Sequence, residues 1–169
     1  MIMNDDLIYD ERVTSKRTEV LFLALTILFF MLLIWRVTAG SLDILAAVFF
    51  CLFGLFLFYS VNYRTLIIRL TSESLKLTFG IFTWTVPLDN VEECRLDDIP
   101  VLMRMGGAGI HLMSIRKRYR VSFNFLEHRR VVIAFKKKVG LVRDISFSTR
   151  RPDDVLRFIQ EAVFANRAA

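Results

Sequence analysis

Two uninterrupted apolar runs fill the first third of the chain, and strict alternation of apolar and polar positions takes over after them. Val20 to Trp35 (VLFLALTILFFMLLIW) is 16 residues without a charge, and Leu42 to Val61 is 20 residues with Asp43 alone near its start. Crossing a hydrocarbon core of about 30 Å takes a helix of about 20 residues. The first run must therefore extend into its flanks, where Arg36 can snorkel and Trp35 suits the interface. Both runs are apolar around the whole helix circumference, which suits lipid better than the one-sided burial of a soluble helix. A cleaved signal peptide fits poorly, because the second run follows the first at once. The short connection, Val37 to Leu42, forces an antiparallel hairpin. Its tip carries only Arg36 and Asp43, whereas Arg12, Lys16, Arg17, Arg64 and Arg69 lie on the other side. The positive-inside rule then places both termini in the cytoplasm.

From Arg64 the period drops to two, the mark of strands. Leu66, Ile68 and Leu70 share one face, Thr71-Ser72-Glu73-Ser74 is a turn, and Leu75, Leu77 and Phe79 repeat the pattern up to Gly80. Phe82, Trp84, Val86 and Leu88 follow, with Pro87 at an edge position. A fourth strand spans Val91 to Leu96. Asp97 to Ile115, with Pro100 and the cluster Met105-Gly106-Gly107-Ala108-Gly109-Ile110, reads as a long, partly irregular connection. Alternation resumes at Tyr119, Val121, Phe123 and Phe125, then at Val131, Ile133 and Phe135. A turn from Lys136 to Gly140 leads to a last strand ending near Phe147. Pro152 suits the first position of a closing helix, Asp153 and Asp154 complement its N-terminal dipole, and Val155, Phe158, Ile159, Ala162 and Val163 form one apolar stripe. These elements predict an α+β membrane protein: residues 1–18 a cytosolic tail, 19–62 a transmembrane helical hairpin, and 63–169 a cytosolic domain. That domain has seven strands in a curved sheet or barrel, with the C-terminal helix plugging one open end.

Composition agrees with this division. Apolar residues make up 54% of the chain and charged residues 24%, and mean hydropathy is +0.46. Both hold only because the two kinds are segregated. Cys51 lies inside the second apolar run and Cys94 far along the polar part, so neither a disulfide framework nor a Cys/His zinc site is expected. His111 and His128 bring no further ligands with them, and no metal or cofactor is expected. Ser114 and Ser122 have no base partner in the sequence, and the glycine cluster has neither dinucleotide spacing nor a following Lys-Ser/Thr. The expectation is a protein that is not an enzyme.

The segments Ile67-Ile68-Arg69-Leu70-Thr71, Leu75-Lys76-Leu77-Thr78-Phe79-Gly80 and Val86-Pro87-Leu88-Asp89-Asn90-Val91 resemble the bacterial and archaeal pleckstrin-homology-like (PH-like) domains. The glycine cluster, Arg130-Val131-Val132-Ile133 and Pro152-Asp153-Asp154-Val155-Leu156 follow in the order of that group, and the likeness spans Tyr63 to Phe164. An N-terminal two-helix hairpin is a familiar companion of such domains. The resemblance implies a PH-like fold and a mostly non-catalytic role. The first hairpin, Thr71 to Ser74, carries no base and one acid, unlike the lipid-reading pattern, so stereospecific inositide recognition is not expected.

Residues 64–169 hold 19 Lys/Arg against 11 Asp/Glu. Arg116, Lys117, Arg118, Arg120, Lys136, Lys137 and Lys138 are the candidate contacts to anionic lipid, which attracts bases near the inner leaflet. Tyr119, Phe123 and Phe125 alternate as core residues do, so nucleic acid is not an expected partner. Met105, Gly106, Gly107, Gly109 and Ile110 are the candidate partner contact. Two roles follow: an accessory or scaffold subunit that binds other integral membrane proteins or a second copy of itself, or a membrane-surface module docking on anionic lipid through its basic turns. Either would sit in the cytoplasmic membrane.

Overall fold

A computed structural model describes residues 7–40, 43–97, 108–115 and 118–168. Strand β1 (Tyr9–Thr14) comes first, followed by helices α1 (Lys16–Thr38) and α2 (Ile44–Asn62). Strands β2 (Thr65–Leu70), β3 (Ser74–Phe79) and β4 (Phe82–Pro87) lead through a short 3-10 turn, Leu88–Asn90, into β5 (Val91–Leu96). Then come β6 (Gly109–Ile115), β7 (Arg118–Asn124), β8 (Arg129–Val139), β9 (Val142–Thr149) and the closing helix α3 (Pro152–Ala168).

The helices are long and apolar enough to cross a membrane. They lie antiparallel, with ring contacts at Phe22–Tyr59, Phe29–Phe56 and Phe30–Phe53 along their length. Each has a side-chain N-cap. Ser15 accepts from the Thr18 amide and Asp43 from the Ala46 amide, and Asp43 also pairs with Arg36 across the tip. Asp43 therefore closes the hairpin rather than standing alone in the apolar run.

The strands form two sheets, in the orders β1-β2-β3-β4 and β5-β8-β9-β7-β6. Among the described residues no closed barrel forms. In the second sheet β9 lies between β8 and β7 and runs parallel to β7, and β5 and β6, consecutive in sequence, stand at opposite edges. The facing sides of the sheets share one core. Leu66, Ile68, Leu70, Leu75, Leu77 and Phe79 meet Phe123, Phe125, Ile133, Phe135 and Phe147, and α3 adds Val155, Ile159, Ala162 and Val163. Each such side chain contributes about 1.5–3 kcal/mol by leaving water.

Three sequence expectations need correction. The stretch read as tail supplies β1, antiparallel to β2 from Tyr9↔Leu70 to Thr14↔Thr65. Only Val13 of that strand is fully buried, so its apolar signal is one residue wide. Gly109–Ile115, read as irregular, is edge strand β6, paired with β7 throughout. Lys136 to Lys138, read as a turn, belong to β8, and the chain reverses only at Gly140-Leu141. Nine strands, not seven, are present among the described residues.

Candidate functional site

No linker joins the helical hairpin to the sheets. Ser15 alone separates β1 from α1, and Tyr63-Arg64 separate α2 from β2, which is the neighbour of β1. The two strands and the two helices are thus one continuous unit. Side chains from elsewhere lock it. Glu127, in the β7–β8 turn, accepts from the Arg17 amide (2.7 Å) and the Ser15 hydroxyl (3.2 Å), a second cap on the α1 N-terminus. His128 Nε2 lies 3.0 Å from the Thr14 carbonyl, and Arg150 donates to the Thr14 hydroxyl at 2.7 Å. Tyr63 packs against Phe79 and Phe82 and beside Gly109, whose φ is +101° and where a Cβ would stand 3.1 Å from the Tyr63 ring.

The Arg17 amide bond, with the Ser15 hydroxyl, holds the Glu127 carboxyl below its usual range. A carboxylate whose folded pKa is depressed adds stability that is complete above the ordinary glutamate pKa and lost as pH falls through the lowered value. Glu127→Ala is expected to reduce stability by about 1 kcal/mol at neutral pH. Thermal unfolding in detergent should show the two proteins converging at acidic pH.

The junction orients every other element. Strand β7 ends beside α1 and β8 begins there, since Leu126 donates its amide to Thr18. Arg118, six residues up β7 from Asn124, is roughly 20 Å from the hairpin end at 3.3 Å per residue. Lys136 to Lys138 lie in a bulge of β8 between Ala134↔Asp144 and Val139↔Val142, and the seven residues of β9 from Thr149 to Val142 put that end roughly 23 Å from Arg129 by the same measure. The pairs Tyr119↔Val142 and Val139↔Val142 bring Arg118 and the three lysines to the same far end. All four are exposed there. Lys136 Nζ also donates to the Asp89 carbonyl, and Asn90 clamps the backbone of Lys137. Arg116 and Lys117 lie outside the described residues, as do Met105, Gly106 and Gly107. Gly109 is buried against Tyr63, and Ile110 packs on the core.

Arg120 is a correction. It is 2% exposed and points to the outer face of the second sheet, where it cannot meet a headgroup. It pairs with Asp97 (3.1 Å) and Asp144 (3.5 Å), and Arg130 pairs with Asp97 at 3.0 Å. Cross-strand register assembles this group, because Arg120↔Asp144 are partners on β7 and β9 and the Asp97 amide bonds the Arg130 carbonyl. Beside it Ser146 donates to Ser122 (2.9 Å) and Ser148 to Asn124 (3.1 Å), all buried. Over β7 and β9 the sheet thus has one apolar face and one polar face, and both are buried. Two arginines and two aspartates balance in charge, so the arrangement fixes strand register rather than offering an open anion site.

No family model, curated protein or solved structure matches this chain. Its chemistry has to be read from its own residues. Burial, with Glu93 beside it, pushes the Cys94 thiol up to about 12, so it stays protonated and unreactive at neutral pH. Among the described residues no three His, Cys, Asp or Glu side chains gather as metal ligands. Sequence reasoning missed the charged quartet. Its signal was the polar set Arg120, Ser122 and Asn124 alternating with Val121, Phe123 and Phe125, which ordinarily marks a solvent face.

Proposed function

We propose that the hairpin crosses the cytoplasmic membrane with both termini and the β domain on the cytosolic side. The protein would then act as a non-catalytic accessory or scaffold subunit of a membrane complex. The observation that carries this reading is the junction without a linker. A domain that searches for ligands at the end of a tether gains from a flexible connection. Here β1, α1, α2 and β2 are continuous, so the domain is held at fixed height and tilt, as a subunit that positions a partner requires. The far end supplies a surface for that partner: Arg118 and Lys136 to Lys138 surround Tyr119, Val139 and Leu141, the last of them 71% exposed. Ala47 and Gly54 face outward on α2 and would let another helix approach closely, from a second copy or another integral membrane protein. A PH-like domain fits this role, and two sheets around one core with a closing helix are compatible with it.

The alternative, docking of Lys136 to Lys138 on the protein's own membrane, conflicts with their distance from the hairpin. Reversing all three charges to glutamate is expected to leave binding to anionic liposomes unchanged while weakening retention of a partner. Purification from native membranes in mild detergent, followed by native mass measurement, tests the proposal. Companions in fixed stoichiometry support it, and a lone monomer or homo-oligomer ends the accessory-subunit reading.

A further inference from the structure

Several exposed apolar side chains of the β domain lie away from its far end, in turns that the junction fixes beside the helices. The β3–β4 turn touches the end of α2: a Cβ on Gly80 would stand 2.4 Å from the Asn62 carbonyl oxygen, and Phe82 packs on Tyr63 with ring centroids 6.4 Å apart. This turn presents Ile81, 70% exposed, and Phe82, 43% exposed. The β7–β8 turn touches the start of α1 through the Leu126 amide and Thr18, and Leu126 is 42% exposed. Both turns therefore stand level with the ends of the apolar helices, where Val20 and Val61 are the last uncharged aliphatic positions.

Exposed bases share this rim. Lys16 and Arg17 open α1, Arg64 follows α2, and Arg129 opens β8. The nearby acids are engaged within the protein. Glu127 caps α1, Glu11 accepts from Thr149 and the Arg150 amide, and Glu19 lies 3.8 Å from Arg64. Apolar side chains flanked by bases are the composition of a surface that enters the boundary between headgroups and acyl chains.

We infer that this rim is a lipid-binding surface, with Ile81, Phe82 and Leu126 entering the interfacial layer and Lys16, Arg17 and Arg129 meeting anionic phospholipid headgroups. The inference rests on the hairpin crossing the membrane. It identifies contacts that the basic residues of the far end cannot make. The rim then fixes the domain against the bilayer as the strand–helix junction fixes it against the hairpin.

Depth-dependent quenching in the full chain tests it. Single cysteines at Ile81→Cys, Leu126→Cys, Leu141→Cys and Phe30→Cys, in a background with both Cys51→Ala and Cys94→Ala, carry a fluorescent label in liposomes of phosphatidylcholine and phosphatidylglycerol. Shallow brominated lipids are expected to reduce emission about two-fold at positions 81 and 126 and to leave position 141 unchanged. Position 30, near mid-span, reports the hairpin through lipids brominated deep in their acyl chains. Quenching at 30 without quenching at 81 and 126 overturns the rim while leaving the hairpin in the membrane. No quenching at 30 overturns the membrane-crossing reading, and the rim with it. With only one lipid brominated at a time, phosphatidylglycerol is expected to quench position 126 about twice as strongly as phosphatidylcholine. Equal quenching overturns the role given to the bases.

Discussion

Arg120→Met is expected to reduce the stability of the β domain by about 3–5 kcal/mol, the penalty for removing one partner of a buried ion pair. Methionine matches the length of the arginine stem and fills much of its volume, so the loss reports charge rather than a cavity. With Arg120 gone, Asp144 keeps a buried carboxylate and loses the guanidinium that faces it at 3.5 Å, while Asp97 retains Arg130 at 3.0 Å. Denaturant unfolding followed by Trp84 fluorescence, with Trp35 replaced by Phe, measures the change. Asp144→Asn in the Arg120→Met protein should recover part of the loss, because it removes the stranded charge. That recovery appears as a coupling between the two sites in a double-mutant cycle. A single-variant loss below about 1 kcal/mol is the size of an exposed pair. It would mean that water reaches this face of the sheet.

The contrast between this quartet and the helices marks how far sequence pattern reaches. Val20 to Trp35 and Leu42 to Val61 announce α1 and α2 because an all-apolar helix has one dominant explanation. Strands β2, β3 and β4 fall where alternation puts them, since one face of each meets the core and the other does not; β5 lies where a fourth strand is expected, although its burial does not alternate. Pro152, Asp153 and Asp154 mark the start of α3 because helix N-termini have chemistry of their own. Strand β1 was invisible: in Tyr-Asp-Glu-Arg-Val-Thr the pairing with β2 is made by the backbone, which leaves no trace in residue type. Strand β6 was obscured by an edge position, where Leu112 is exposed and Ile110 only half-buried. The candidate contacts fared according to the same logic. A run of bases says that the chain is charged there, but it does not say which end of a sheet it occupies. That is decided by register, which sent Lys136 to Lys138 to the far end and folded Arg120 inside. Polar alternation on β7 and β9 reads as a wet face unless something tells that the face is covered, and no local pattern does.

The junction makes the second large prediction, and it carries its own control. Gly80 and Gly140 both close β-turns with nearly the same backbone, φ +60° and +62°. A left-handed conformation costs a residue bearing a Cβ about 1–2 kcal/mol. At Gly140 a new Cβ meets nothing within 4 Å, so Gly140→Ala should lose that amount and no more. At Gly80 it would press on the Asn62 backbone, with the carbonyl oxygen at 2.4 Å and Cβ at 3.0 Å. Backbone at a helix end cannot swing aside as a flexible side chain can. Relief requires the β3–β4 turn to move off α2, taking the Tyr63–Phe82 contact with it. The overpacking adds about 1–3 kcal/mol, so Gly80→Ala is expected to lose about 2–5 kcal/mol in the same unfolding measurement. The difference between the two variants isolates the contact between the turn and the helix end. Equal losses would mean that the sheet and the hairpin do not meet there, and the domain would then hang from two strand–helix connections alone. A larger loss at Gly80 would mean that the turn bears on the helix. Height and tilt would then be properties of the whole chain, as positioning a partner at a membrane demands.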